Sequence, residues 1–116
     1  MEEALLLTQP TLLERDAGIQ RFEFTFEALW KAARCFLVEL EGVDAASPKG
    51  VVRSCRELGI FNEAETMVAL GMVDDRNLTV HTYNEPLAEE IYSRLPQYFS
   101  LMTKWLQIMQ NRSHAL

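Results

Sequence analysis

Ile19, Phe22, Phe26, Leu29, Ala33, Phe36 and Leu40 recur every three or four positions along the chain. That spacing draws a single stripe on an α-helix, whereas a strand would need alternation by two. A stripe this long excludes most β architectures. It commits the chain to helices that bury one face against each other. "TLLE" has the form of a capping box at the start of the stripe, with Thr11 as N-cap and Glu14 able to reach back to its amide. Gly42 offers the left-handed residue that ends a helix. The spacing predicts one helix over about 11–41.

The remaining segments repeat this logic. "GVDAASPKG" is a loop in which Ser47 and Pro48 form an N-cap and N1 pair. A short helix follows, carrying Val51, Val52, Cys55 and Leu58, and it ends at Gly59. Asn62 and Glu65 make a second capping box, opening a helix expected to turn Ala64, Met67, Leu70 and Gly71 inward. Pro86 starts the last helix, whose inward set is Leu87, Ile91, Leu95, Tyr98, Met102, Trp105 and Met109. Pro96 lies inside that set, removes a backbone donor and predicts a kink or break there. No sustained period-two alternation and no Asn-Gly hairpin signal appears. The expected fold is all-α: an up-and-down antiparallel bundle of four main helices, forming a single domain over 1–116. Residues 1–10 form an N-terminal arm, either one short extra helix or a loose segment, and residues 111–116, with His114, a flexible tail.

Composition bounds what such a bundle can do. With 116 residues, 48% of them apolar, the chain can build one core. Its net charge of −6 makes it a poor non-specific nucleic-acid binder, because phosphate binding depends on Lys and Arg. RNA contact would need a local basic patch, for which Arg21, Arg34, Arg53 and Arg56 are the candidates. Phe22, Phe26 and Trp30 share one helix face, with Phe24 offset, and are expected to be core. Cys35 and Cys55 show no CxxC or Cys/His ligand spacing, so they are expected to be buried free thiols, with no metal and no cofactor. "ALLL" is too short for a signal peptide's apolar region, and no run approaches membrane-spanning length. The expected location is the cytoplasm, away from any membrane.

Chemistry concentrates in "DDRNLTVHTYNE", residues 74–85. On a continuous helix Asn77 and His81 share one face, and Arg76 and Tyr83 another. Arg76 and His81 are five apart and diverge by roughly 140° at about 100° per residue. A straight helix cannot aim both at one small group. Either the helix unwinds near His81, or a second chain completes the pocket. An imidazole can take a proton from a ribose 2′-hydroxyl, and a guanidinium can bind a phosphate and stabilise charge on it. Together they suffice for metal-independent RNA cleavage. A plain solvated helix end, with Arg76 paired to nearby carboxylates, is the competing account. No DxD, HD or Gly-rich phosphate loop is present, so the chain itself is not expected to transfer nucleotides.

Three stretches resemble the nucleotidyltransferase substrate-binding proteins of the HEPN superfamily, including HepT-like toxins: "RDAGIQRFEFTFEALWKA" (15–32), "SPKGVVRSCRELGI" (47–60) and "DDRNLTVHTYNEPLAEEIY" (74–92). The last contains the family's pattern of Arg, four residues, His, one residue, Tyr, as Arg76, His81 and Tyr83. The resemblance implies a helical homodimer whose two motifs line a shared cleft. It implies an RNase toxin paired with a minimal nucleotidyltransferase encoded nearby. In that case Arg76, His81 and Asn77 form the catalytic set, and the partner silences the toxin by adenylylating Tyr83. The alternative that the resemblance also carries is a non-catalytic subunit that docks to the transferase and presents its substrate.

Overall fold

The computed structural model describes residues 11–114; the expectation for the N-terminal arm lies outside the described residues. Helix α1 runs Leu12–Glu41. The Thr11 hydroxyl oxygen accepts from Glu14 N at 3.0 Å. The other arm of the expected capping box differs: Glu14 Oε1 takes the Thr11 hydroxyl at 3.3 Å rather than the Thr11 amide. Gly42, at φ 67°, closes the helix with its N–H on the Leu37 carbonyl. That positive φ is the conformation a Cβ would strain.

Helix α2 spans Pro48–Glu57, with Gly50 N bonded to the Ser47 hydroxyl at 3.1 Å. Helix α3 spans Glu63–Leu78 and has the full Asn62/Glu65 capping box, with bonds of 2.8 and 2.9 Å. A 3-10 turn, Thr79–His81, follows. Helix α4 runs Glu85–His114, capped by Asn84, whose side chain accepts from Leu87 N at 3.2 Å. The four helices make an up-and-down bundle, with α1 packed along α4 and α3 bridging α2 and α4.

The core follows the α1 and α4 stripes. Phe22, Phe26, Ile91 and Trp105 are fully buried. The Phe22 ring stacks 5.3 Å from Tyr98. As expected Phe24 is offset, and it is 69% exposed. Trp30 is half-buried at the edge of the core.

Four expectations are corrected. The inward face of α3 is Thr66, Ala69, Met72 and Val73, while Ala64 and Met67 face solvent. Apolar residues lie around most of this helix, so periodicity alone does not choose its face. Thr66 becomes tolerable inside because its hydroxyl donates to the Asn62 carbonyl at 2.7 Å. Of the kink or break expected at Pro96, the break does not occur, since α4 continues past it. Pro96 itself is exposed, and the buried neighbours Leu95 and Tyr98 hold the segment helical. Residues 111–114, expected to be tail, extend α4, and Arg112 Nη1 donates to the Leu58 carbonyl at 3.1 Å. Finally, Cys35 is exposed and only Cys55 is buried. Position 35 falls beside the stripe that buries Ala33, Phe36 and Leu37.

The two thiols therefore differ in chemistry. Burial pushes the Cys55 thiol up to about 11. In the native protein a thiol-disulfide reagent at neutral pH should titrate one sulfur quickly, at Cys35. Cys55 should react only on unfolding. Two fast equivalents would contradict the burial of Cys55.

Candidate functional site

The motif sits where α3 ends, and its own residues end it. Thr79, Val80 and Thr82 are β-branched and disfavour helix. The Thr79 hydroxyl lies 2.7 Å from the Arg76 carbonyl and 2.8 Å from Glu23 Oε2, so its one proton serves either acceptor. Thr82 Oγ1 donates to the Thr79 carbonyl at 3.0 Å, and Asn84 N to the His81 carbonyl at 3.0 Å. Side chains and the next cap thus satisfy the carbonyls that a terminating helix leaves open.

The helix changes near His81, but it tightens instead of unwinding. A 3-10 turn rotates about 120° per residue in place of about 100°, which carries His81 further from the Arg76 direction. Two pairs result. Arg76 Nη1 donates to Asn77 Oδ1 at 3.2 Å. Tyr83 Oη lies 3.5 Å from His81 Nδ1, with the two rings edge to face at 6.0 Å. Among the described residues no hydrogen bond joins one pair to the other. His81 and Tyr83 are open to solvent, Tyr83 at 81% exposure, and the apolar Val80 between them and α3 is 70% exposed.

Arg76 is not free. It pairs with Glu27 of α1, not with its neighbours Asp74 or Asp75. Asp74 instead meets Lys49 at 2.9 Å. Asp75 turns into the bundle, where it accepts from Arg94 Nε at 2.6 Å, Arg94 Nη2 at 2.9 Å and Tyr98 Oη at 2.6 Å. This bidentate bond holds the Arg94 guanidinium above its ordinary range. Burial first, and then the Asp75 carboxylate, push the Tyr98 phenol up. A second fork joins Arg15 of α1 to Glu85, at the start of α4, with bonds of 2.8 and 3.3 Å. The Arg15 guanidinium holds the Glu85 carboxyl below its usual range. The two forks tie α4 to α3 and to α1 on either side of the motif turn.

Sequence reasoning missed Glu27, Glu23, Asp75 and Arg94. A weak signal was present for the first two: both interrupt the α1 pattern four residues apart, on one side of the aromatic stripe. The candidate basic rim disperses its roles. Arg21 lies over the Phe99 ring at 5.9 Å, and Arg34 pairs with Asp44 at 3.3 Å. Among the described residues no group of three His, Cys, Asp or Glu could hold a metal ion, and no helix is long and apolar enough to cross a membrane.

The architecture recurs in known proteins. A crystal structure of a protein from Thermus thermophilus is 54% identical and superposes with a TM-score of 0.85, covering 94% of this chain and 98% of that one. A protein named "Probable ribonuclease HepT" from Haemophilus influenzae is 25% identical over 111 residues, which span 92% of this chain and 73% of the relative. The family described as "Nucleotidyltransferase substrate binding protein like" matches residues 1–111. With its bundle, and with Arg76, His81 and Tyr83 set at the end of α3, the chain belongs to that family, a HepT-like branch of the HEPN superfamily.

Proposed function

We propose that this chain is a HEPN-type ribonuclease toxin, controlled by adenylylation of Tyr83. One observation carries the reading: the exposed Tyr83 hydroxyl stands 3.5 Å from the ring nitrogen of an exposed His81. A group attached to that oxygen would cover the imidazole.

His81 acts as general base and removes the ribose 2′-hydroxyl proton. The 2′-oxygen attacks the adjacent phosphorus, and the 5′-oxygen leaves with a proton from a general acid. Arg76 binds the phosphate and offsets the charge that builds on it. Asn77, already bonded to Arg76, orients that guanidinium or the substrate. Because Arg76 and His81 diverge within one chain, a second copy completes the cleft. Exposed Val80 and Tyr83 give that homodimer an apolar margin. Sedimentation equilibrium at micromolar concentration should therefore show a dimer, and a lone 13.3 kDa species would count against it.

A minimal nucleotidyltransferase would silence the toxin. The Tyr83 oxygen attacks the α-phosphorus of ATP, pyrophosphate leaves, and the phenolic proton is lost. The AMP phosphate then blocks His81 and competes for Arg76. The test is mass spectrometry of Tyr83 after co-expression with the transferase encoded beside it. Tyr83→Phe should stay folded and toxic yet resist the partner. Full neutralisation of Tyr83→Phe, with no AMP on the parent chain, would shift support to the binding-subunit alternative. The Glu27 partner of Arg76 favours that alternative to one extent: a phosphate must share a guanidinium that a carboxylate already occupies.

A further inference from the structure

We propose that Glu27 is the positioning residue for Arg76, holding one edge of the guanidinium so that its remaining N–H groups face an incoming phosphate. This rests on the ribonuclease reading for what carries that phosphate. A guanidinium has five donors in a rigid fork. Arg76 gives Nη2 to Glu27 and Nη1 to Asn77, which leaves donors unassigned on a side chain still 33% exposed.

The carboxylate is itself held. Trp30 Nε1 donates to Glu27 Oε1 at 3.4 Å, and Lys31 Nζ lies 3.5 Å from Glu27 Oε2. One turn earlier on α1, Glu23 meets the Thr79 hydroxyl at 2.8 Å. Glu23 and Glu27 therefore grip the motif at two points, its turn and its arginine. Both residues are half-buried, beside the buried stripe of α1 and not part of it. What they do is stop Arg76 from sampling the many rotamers of a free arginine. That is how a site has its charge arranged before substrate arrives.

The carboxylate also opposes anion binding by simple Coulomb repulsion. Positioning and repulsion act on different kinetic constants, so they separate. In the full chain, Glu27→Ala should lower kcat on an RNA oligonucleotide by about tenfold or more without raising KM. Glu27→Gln keeps an oxygen acceptor in place and should recover most of kcat. In an Arg76→Ala background, Glu27→Ala should change nothing further. An unchanged kcat, a loss carried wholly by KM, or an equal loss in the Arg76→Ala background would each overturn the proposal.

A second readout does not need cleavage. The NMR signals of the Arg76 guanidinium should show hindered rotation in the parent and averaged signals in Glu27→Ala. If the parent cleaves no RNA, the ribonuclease reading falls alone, and these signals still decide. Hindered signals that Glu27→Ala averages would support the positioning role. Averaged signals with Glu27 intact would overturn it.

Discussion

If the chain is the ribonuclease proposed above, His81→Ala should lower RNA cleavage at least a hundredfold and leave the melting temperature near that of the parent. The two halves of this expectation have separate physical grounds. A positioned general base contributes about 10²–10⁴ in rate. The only side-chain hydrogen bond of His81 among the described residues is with Tyr83 Oη at 3.5 Å, and its ring is open to solvent. Truncating an exposed side chain of this kind costs about 0.5 kcal/mol or less. Arg76→Ala should lower cleavage comparably, through loss of charge stabilisation. It should also remove the Glu27 ion pair and leave that carboxylate to Trp30 and Lys31, so its stability cost is larger than that of His81→Ala. Single-turnover cleavage of a labelled RNA, with a thermal melt of each variant, measures both. A His81→Ala protein that melts as the parent does and cleaves at the parent rate would remove the imidazole from the mechanism.

Trp105→Ala has the largest expected effect on stability. Trp105 is fully buried, its ring 5.0 Å from Phe61 and tilted by 59°. It lies beside the Cys55 thiol of α2. Removing a buried tryptophan loses its transfer free energy and leaves a cavity, together about 3–5 kcal/mol. In a domain of this size that lowers the melting temperature by about 12–20 °C. Trp105→Phe should cost far less. It keeps an aromatic ring against Phe61, and the buried indole N–H it removes has at most the weak Cys55 sulfur beside it. Urea unfolding of the three proteins tests this. A Trp105→Ala loss below about 1 kcal/mol, or a Trp105→Phe loss equal to it, would contradict the packing described.

The helices were legible because their signals are local. Seven stripe residues at period 3.6, a capping box at Asn62 and a glycine at 42 each act within a turn of themselves. They specify a helix whatever surrounds it. The motif was legible for a related reason: spacing along one segment is enough to show that Arg76 and His81 diverge on a continuous helix.

The sequence by itself determined that this chain makes helices and which faces α1 and α4 bury, and it marked Arg76, Asn77, His81 and Tyr83, around the end of α3, as the candidate site. It did not choose the inward face of α3, because apolar residues lie on several sides of that helix and only neighbours at a distance select among them. It did not show that α4 survives Pro96, since burial of Leu95 and Tyr98 against other helices offsets the lost donor there. The partners of the site were decided by the tertiary structure alone. Asp75 meets Arg94 and Tyr98, Arg15 meets Glu85, and Arg76 meets Glu27, across separations that no periodicity encodes. Charges find each other only after packing has brought two helices together. Which carboxylate holds the arginine is therefore a property of the bundle and not of the segment.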